Sequence, residues 1–371
     1  MHMSNPQPTT LPSPSISDSS PSAPSAPGRP PSAQPASVRP RSAPGEPPER
    51  RRAARKASTA AAIAAAAIPT LMTALDNLVM TFALPDIERE LGATVTQLQW
   101  FVNAYTLVLA SALLPMAALG DRFGRRRIFF SGIAVFAAAS AACALAPTPE
   151  ALIVARAIQG AGGAAIVTLS LALLVDAVPR RLRELAIGVW GGVNGLGIAT
   201  GPLLGGAVVS GLHWSVVFWI NVPIGALSLP LVPRFLPRAA VGSRGADRLG
   251  TVLGIGFVFP LTWAVVEGPA RGWTDRLTIG GFAAAGICLV LFLLRERSAK
   301  APVMPLSLCA DRRFSLINAA TVLFAAGVFG AIFFLSQFLQ ITLGYSAFEA
   351  GLRAGPWTLL PLFVSPASGG L

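Results

Sequence analysis

Long apolar segments dominate the hydropathy pattern of this 371-residue chain. A bilayer core about 30 Å thick needs roughly 20 apolar residues at a helical rise of 1.5 Å per residue. Segments of about that length follow one another, separated by short polar loops, at 59–84, 98–119, 128–146, 151–175, 185–210, 215–235, 249–267, 277–294, 314–336 and 352–371. The pattern predicts an all-α polytopic membrane protein with about ten transmembrane helices.

The Lys and Arg residues fall almost entirely in alternate loops. If the N-terminus is placed in the cytoplasm, most of the 29 basic residues lie in the inward segments 49–56, 120–127, 176–184, 234–248 and 295–313. The outward segments hold only Arg89, Arg271, Arg276 and Arg353. Basic residues stay on the cytoplasmic side during insertion. The pattern predicts a cytoplasmic-membrane protein with a cytoplasmic N-terminus, and the scattered charge argues against nucleic-acid binding.

The N-terminal region differs in composition from the rest of the chain. Pro, Ser and Ala dominate residues 1–48, and large apolar side chains are rare. Such a segment cannot bury enough apolar surface to offset its ordering entropy, so 1–56 is predicted to be a disordered cytoplasmic tail with a basic end. The three cysteines and two histidines show no metal-ligand spacing or catalytic set. An enzyme, a metal site and a cofactor are therefore not expected.

A charged turn lies between the second and third spans, where residues 119–127 read LGDRFGRRR. Gly124 permits a tight turn, and Asp121 lies beside Arg122 and Arg125. The positive-inside rule explains the arginines but not the acid. The turn resembles the inward loop motif of the major facilitator superfamily. That resemblance implies a conformational latch in which Asp121 and Arg125 hold neighbouring helix ends together; the alternative is a generic basic turn.

The fourth span contains an arginine within its apolar sequence, in LIVARAIQGAGGAA, residues 152–165. A guanidinium in hydrocarbon is costly, so Arg156 is expected to face a watery cavity or a partner. Snorkelling of Arg156 to the outer surface is the alternative. Gln159 lies one turn later on the same face and is expected to line a cavity. The segment resembles the R-x-x-Q-G motif of the superfamily, which implies a role for Arg156 in proton transfer.

The first span carries the only acid well inside any span, Asp76, within LDNLVMTFALPDI. An Asp at mid-bilayer costs about 3 kcal/mol, and protonation lowers that cost. Asp76 and Arg156 fall at similar depths, so the two side chains can face one cavity. Alternatively, Asp76 caps a break in the helix near Asn77 and Pro69. The segment resembles the first-helix motif of the fourteen-helix drug:proton antiporters, which implies that Asp76 couples transport to protons.

The fifth span is rich in glycine and reads GGVNGLGIATGPLLGGAVV over residues 191–209. Small residues let another helix approach closely, so a bland packing face is one interpretation. The spacing resembles the antiporter motif G-x-x-x-G-P-x-x-G-G of the export branch. Its matching residues are Gly197, Gly201, Pro202, Gly205 and Gly206. Asn194, in the same span, is expected to line the cavity with Gln159.

The segment HWSVVFWINVPIG, residues 213–225, resembles a further motif of the same branch. Its matching residues are Trp214, Phe218, Ile220, Asn221, Pro223 and Gly225. His213 is expected to be an exposed loop residue.

The resemblance covers residues 57–371 and implies a particular division of the chain. A first six-helix bundle is expected at 57–236, two inserted linker helices at 237–300 and the start of an incomplete second bundle at 301–371. Relatives continue with further helices, so the chain is expected to be a C-terminally truncated fragment.

The function implied is proton-coupled secondary transport that exports amphipathic small molecules, as in drug or antibiotic efflux. Protons, a hydrophobic or amphipathic substrate and the lipid bilayer are the expected partners, and a proton gradient takes the place of any cofactor. A truncated, non-transporting remnant, or a membrane partner or sensor, is the alternative. A nutrient symporter is disfavoured by the fifth-span motif.

Overall fold

The computed structural model describes residues 48–209, 213–238, 247–299, 302–303 and 306–345, with Glu349 and Arg353. Within these ranges the regular structure is helical and strands are absent. The helices are α1 (Pro48–Leu91), α2 (Val95–Phe123), α3 (Arg125–Ala144), α4 (Pro149–Ala177), α5 (Arg183–Val209), α6 (Val216–Trp219), α7 (Asn221–Phe235), α8 (Arg248–Arg271), α9 (Arg276–Ser298), α10 (Leu306–Ala310) and α11 (Arg312–Gln337). A 3₁₀ turn (Arg180–Leu182) precedes α5, and a π turn (Phe338–Thr342) follows α11.

The described helices confirm the predicted membrane class. Seven helical segments are long and apolar enough to cross a bilayer: Ser58–Asn77, Val95–Phe123, Arg125–Ala144, Pro149–Ala177, Val216–Phe235, Arg248–Arg271 and Arg276–Ser298. Helices α5 and α11 coincide with the predicted spans 185–210 and 314–336. The last predicted span, 352–371, lies outside the described residues except for Arg353.

The expected boundary of the N-terminal tail is wrong at its C-terminal end. Helix α1 begins at Pro48, whereas the tail was expected to continue to residue 56. Proline is favoured in the first turn of a helix, and the Ala, Arg, Lys and Glu residues that follow are good helix formers. Residues 1–47 lie outside the described part of the chain.

The predicted span 215–235 corresponds to one helical segment, Val216–Phe235, with a local irregularity at Ile220, whose backbone stays helical at φ −56° and ψ −35°. Helix α6 ends at Trp219, and α7 begins at Asn221. Pro223 has no N–H to donate to the carbonyl of Trp219, so the helical hydrogen-bond ladder is interrupted there. The interruption places the side chain of Asn221 at the joint between the two helices.

Helices α1, α3, α4 and α7 pack around one another, with α2 against α4 and α5 against α1. Glycine permits the closest approaches. A Cβ atom on Gly160 of α4 would lie 2.5 Å from the carbonyl oxygen of Tyr105 on α2, and one on Gly162 would lie 2.8 Å from the backbone nitrogen of Phe136 on α3. Helices α8 and α9 pair with each other, and α8 also packs against α2. The expected division of the chain at residues 236 and 300 stays a prediction.

Two apolar clusters fill the bundle. The Phe136 cluster lies toward the Arg-rich turn and includes Met72, Tyr105, Phe129, Phe136, Ile166 and Leu169. The Trp214 cluster lies toward the opposite end and includes Val79, Met80, Phe101, Cys143, Leu152, Trp214, Val217 and Phe218. Between the two clusters, α1, α3 and α4 each contribute buried polar side chains, and these form the candidate site.

Candidate functional site

A fully buried ion pair lies between the two apolar clusters. Asp76 of α1 is 1% exposed and Arg156 of α4 is 0% exposed. The Nη1 of Arg156 donates to Oδ2 of Asp76 at 2.5 Å. Two opposite charges in contact are jointly neutral, which is the condition under which charged groups persist in an apolar interior.

Three neutral side chains complete the group around this pair. Gln159 donates through Nε2 to Oδ1 of Asp76 at 2.8 Å and to Oγ of Ser140 at 2.8 Å. Asn221, at the start of α7, donates to the same two oxygens at 2.9 Å each. We call Asp76, Ser140, Arg156, Gln159 and Asn221 the polar cluster. It joins α1, α3, α4 and α7 through the carboxylate of Asp76.

The guanidinium of Arg156 has further partners on α2 and α4. Its Nε donates to the carbonyl of Phe101 at 3.0 Å, and its Nη1 also donates to Oε1 of Gln159 at 2.7 Å. Its Cζ lies 4.3 Å from the ring centroid of Tyr105, a cation–π contact. The Nη2 atom is buried without a hydrogen-bond partner among the described residues. The pair is therefore held tightly but not fully satisfied.

The structure decides between the alternatives for Arg156 and Asp76. Arg156 does not snorkel, because it is wholly buried and bonded inside the bundle. Asp76 does not cap a helix break, because α1 continues from Pro48 to Leu91. The structure brings the two side chains into direct contact.

The two residues expected to line a cavity lie in different places. Gln159 is 0% exposed and is part of the polar cluster, so in this conformation it does not line an open cavity. Asn194 of α5 is half-buried and donates to Oγ1 of Thr70 at 3.2 Å and to the carbonyl of Trp190 at 2.9 Å. Neither of these bonds reaches the polar cluster.

Sequence reasoning did not assign Ser140 or Asn221 to the site. Asn221 was visible only as a match within the INVPIG segment, and its position at a helix joint gave no signal of its own. Ser140 lies in the Ala-rich segment of α3 and had no signal at all. Only packing of the four helices brings these residues to Asp76.

The charged turn is formed by Gly124, which has a φ of 99° and separates α2 from α3. Positive φ favours glycine, which explains its place in the turn. Arg125 bonds Oδ1 of Asp121 through Nε at 2.9 Å, and its Nη1 lies 3.8 Å from the carboxylate of Asp176 at the end of α4. Arg122 instead lies over the ring of Phe123 at 5.0 Å.

The glycine-rich segment lies within α5, which continues through Pro202 to Val209. A Cβ atom on Gly197 would lie 2.7 Å from the Cβ of Ala74 on α1, so glycine permits this close contact. Gly201, Pro202, Gly205 and Gly206 belong to the helix, but their surroundings lie outside the described part of the chain.

The end of the bundle opposite the Arg-rich turn carries a second polar group. Trp214 donates through Nε1 to Oε2 of Glu90 at 2.8 Å. The Nε2 of His213 lies 2.9 Å from the same carboxylate oxygen. His213 is exposed, as predicted. Trp214 itself is 3% exposed and packs inward.

An ion pair between Asp247 and Arg295 joins the start of α8 to the end of α9. Arg295 donates through Nε to Oδ2 of Asp247 at 3.0 Å and through Nη2 to Oδ1 at 3.1 Å. Asp247 also accepts the N–H of Gly250 and so caps α8. Burial acts to raise the pKa of Asp247, but the hydrogen bonds from Arg295 and the Gly250 N–H outweigh it and hold the pKa below its ordinary value of 3.8.

Comparison with known proteins assigns this chain to a family. The chain is 38% identical over 307 residues to the tetracenomycin C resistance and export protein of Streptomyces glaucescens, covering 82% of this chain and 57% of that protein. It is also 38% identical over 304 residues to the multidrug resistance protein Stp of Mycobacterium tuberculosis, covering 81% of this chain and 56% of that protein. The chain thus spans less than two thirds of the length of these relatives.

The fold is also found among solved structures. The proton:xylose symporter XylE matches with a TM-score of 0.55 at 15% identity, over 85% of this chain and 69% of that chain. At this identity the likeness shows the fold alone. The sequence profile of the Major Facilitator Superfamily matches residues 66–371. The chain is therefore a multi-pass membrane protein that belongs to the Major Facilitator Superfamily.

Proposed function

We propose that the protein containing this chain is a proton-coupled secondary transporter that exports amphipathic small molecules across the cytoplasmic membrane, with its N-terminus in the cytoplasm. The observation that carries the proposal is the buried contact between Asp76 and Arg156, whose side chains are 0% exposed. An ion pair in this position is a weak source of stability, because desolvation of both charges offsets their attraction. A functional reason for keeping it is therefore favoured.

Protonation of Asp76 supplies that reason. With Asp76 ionised, the polar cluster is electrically neutral and closed. A proton bound to Asp76 leaves the charge of Arg156 uncompensated in an apolar interior, which costs roughly 3–5 kcal/mol for buried pairs of this kind. The closed packing of α1 against α4 and α7 then becomes unfavourable. Binding and release of one proton thus shift the bundle between two arrangements.

The composition of the polar cluster favours a proton over a sodium ion. Nη1 of Arg156 lies 2.5 Å from Oδ2 of Asp76, where a metal cation would have to bind. A fixed positive charge at that distance repels a second cation, whereas a proton neutralises the carboxylate without needing a cage of ligands.

Two observations favour drug export over nutrient uptake. The relatives named above are described as resistance and export proteins or as multidrug resistance proteins. The antiporter-like motif lies on α5, whose Gly197 lies close against α1, the helix that carries Asp76. Close packing at that position lets movement of α5 act on the helix that carries the proton site.

The charged turn is proposed to act as a latch for the same change. Arg125 links Asp121, at the end of α2, to Asp176, at the end of α4. Both acids are partly exposed, so the contacts are weak individually and can be released. Arg122 and Gly124 would support the latch, Gly124 through the shape of the turn. Asn194, with Gln159, is proposed to face the substrate path in another conformation of the bundle.

Dye transport in everted membrane vesicles tests this function. The complete reading frame that contains this sequence is expressed, and ethidium movement is followed while an inside-acid proton gradient is imposed. The protein is expected to concentrate ethidium inside the vesicles, and a sodium gradient is expected to have no effect. Asp76→Asn is expected to lose gradient-driven transport.

The matched control is Asp86→Asn on the same helix. Asp86 is partly exposed near the end of α1 and pairs with Arg89, outside the polar cluster. This variant is expected to transport normally. Gradient-driven ethidium transport by Asp76→Asn at the parent rate contradicts the assignment.

A further inference from the structure

The segment His213–Asn221 connects the two polar groups of the bundle, and we call it the cover segment. At one end, Trp214 and His213 contact the carboxylate of Glu90, which lies near the C-terminal end of α1. At the other end, Asn221 donates to Asp76, in the middle of the same helix. The two acids are roughly 20 Å apart along α1 at the helical rise of 1.5 Å per residue.

Two apolar side chains between these two ends, Val217 and Phe218, point inward and are buried. Val217 is 2% exposed and Phe218 is 0% exposed. The ring of Phe218 lies 5.9 Å from the guanidinium carbon of Arg156, and the ring of Trp214 lies 6.2 Å from that of Phe218, edge to face. These side chains, with Phe101 and Met80, form the layer that separates the ion pair from this end of the bundle.

The bond between Asn221 and Asp76 depends on the charge of the carboxylate. A hydrogen bond to an ionised acceptor is about twice as strong as one to a neutral acceptor. Asp76 faces the guanidinium of Arg156 from α4, the phenol of Tyr105 from α2 and the thiol of Cys143 from α3, and of these only Arg156 is charged at neutral pH. Asn221 is neutral, so its hold on Asp76 weakens when Asp76 gains a proton.

From this arrangement we propose that the cover segment controls access of outside water to Asp76, and that Asn221 is the positioning residue that keeps it closed while Asp76 is ionised. The proposal rests on the proton-coupling function proposed above for Asp76. It adds a route to the proton site that passes through this bundle itself. In that route, the helix bends where Pro223 cannot donate to the preceding turn, and the Trp214–Glu90 bond fastens the distant end.

Cys143 provides a native reporter for opening of the cover segment. Its thiol is fully buried in the Trp214 cluster, and Sγ lies 3.7 Å from Oε1 of Gln159 in the polar cluster. With Cys288 and Cys309 replaced by Ser, Cys143 is the remaining cysteine of this sequence. Its rate of reaction with the impermeant thiosulfonate MTSES is measured at one pH in right-side-out and everted vesicles.

The parent protein is expected to react slowly, and faster from the outside than from the inside. Asn221→Ala is expected to raise the outside rate roughly tenfold, because a charge-assisted bond is lost. The matched control is Asn318→Ala on α11, where the amide donates only to the carbonyl of Phe314 on its own helix among the bonds described. That variant is expected to react at the parent rate.

A second variant covers the case in which Asn221→Ala does not fold. Trp214→Phe keeps an aromatic ring in the Trp214 cluster and removes the bond to Glu90, so it is also expected to speed the outside reaction, by a smaller factor. Parent rates in both folded variants, or faster reaction from the inside, overturn the proposal.

A double-variant comparison separates positioning from simple packing. In an Asp76→Asn background, Asn221→Ala is expected to change the rate much less than in the parent, because the charged acceptor is already gone. An equal factor in both backgrounds contradicts the role given to Asn221. The thiol reaction needs neither ethidium nor a proton gradient, so its failure is distinguishable from a failure of the efflux assay.

Discussion

Two carboxylate–guanidinium pairs in this protein differ in how they are held. Asp76 and Arg156 are both wholly buried, come from helices far apart in sequence, and leave Nη2 of Arg156 without a hydrogen bond among the described residues. Asp247 and Arg295 form a two-pronged contact in which the arginine side chain is 38% exposed and the carboxylate also caps α8.

The difference indicates which pair can be opened. The Asp247–Arg295 pair has several bonds, and Arg295 has access to solvent, so the pair fastens α8 to α9 in any conformation that keeps the two helices together. The Asp76–Arg156 pair is easier to disrupt, because each buried charge depends on the other for its compensation. Protonation of Asp76 removes the compensation of the Arg156 charge, and coupling of transport to protons requires such a change.

The largest expected effect comes from removing one arginine at a time. Arg156→Gln leaves Asp76 buried without its countercharge, which is expected to cost roughly 3–5 kcal/mol of folding free energy at neutral pH. Arg295→Gln leaves the buried carboxylate of Asp247 with the Gly250 N–H bond and with the solvent that reaches position 295, so a smaller loss of about 1–2 kcal/mol is expected. Thermal unfolding of the detergent-purified variants measures both, and equal losses would remove the distinction between the pairs.

Replacing both partners by apolar residues should separate the pairs further. Asp76→Leu with Arg156→Leu is expected to recover most of the stability lost in Arg156→Gln, because no buried charge remains, yet to stay inactive in ethidium transport. Asp247→Leu with Arg295→Leu is expected not to recover stability, since the cap of α8 is lost, and to keep transport. The readouts are the melting temperature and vesicle uptake; a stable, active first double variant contradicts the account.

The stability contributed by the Asp247–Arg295 pair is expected to respond to acid. The folded-state pKa of Asp247 lies below 3.8, so its contribution to stability is fully present at neutral pH and is lost as the pH falls through and below that value. The melting-temperature difference between the parent protein and Asp247→Asn is therefore expected to shrink as the pH is lowered toward that range. A difference that stays constant with pH shows that Asp247 contributes through packing alone.

The smallest expected effects concern two glycine turns that lie at the helix ends away from the two pairs. Gly272, between α8 and α9, has a φ of 102°, and a Cβ atom there would meet nothing within 4 Å. Gly272→Ala is therefore expected to cost only the backbone strain, about 1–2 kcal/mol, and to leave transport unchanged. Gly124→Ala, at a φ of 99°, is expected to cost a similar amount but also to slow transport, because it distorts the proposed latch. Melting and initial uptake rates distinguish the two variants.

The helices were predictable because hydropathy and basic loops repeat along the chain, but the local irregularity at Ile220 was not. It depends on Pro223, and proline at other positions, such as Pro115 of α2, lies inside a continuous helix. The positions of Asp76 and Arg156 along their spans predicted that the two residues lie at a similar depth in the membrane. Their direct contact, and the bonds of both amides to Ser140, depend on how four helices rotate about their axes. A one-dimensional pattern with little amphipathic contrast does not specify those rotations.

The contact between Asp247 and Arg295, at one end of the α8–α9 hairpin, was not predicted for a related reason. Asp247 and Arg295 lie in the predicted inward segments 234–248 and 295–313, which are already rich in charge, so neither stood out. Their pairing follows from the nearly equal lengths of α8 and α9, which return the chain to the same end. The short-range capping of Gly250 by Asp247 then fixes the carboxylate in place.

The proton carried by Asp76 is measured most directly as proton release when ethidium is added to the purified, full-length protein in weakly buffered detergent solution. Release is expected from the parent protein and from Asp247→Asn, and it is expected to disappear in Asp76→Asn although ethidium still binds. Proton release of undiminished size from Asp76→Asn, with ethidium bound, would show that another group carries the proton.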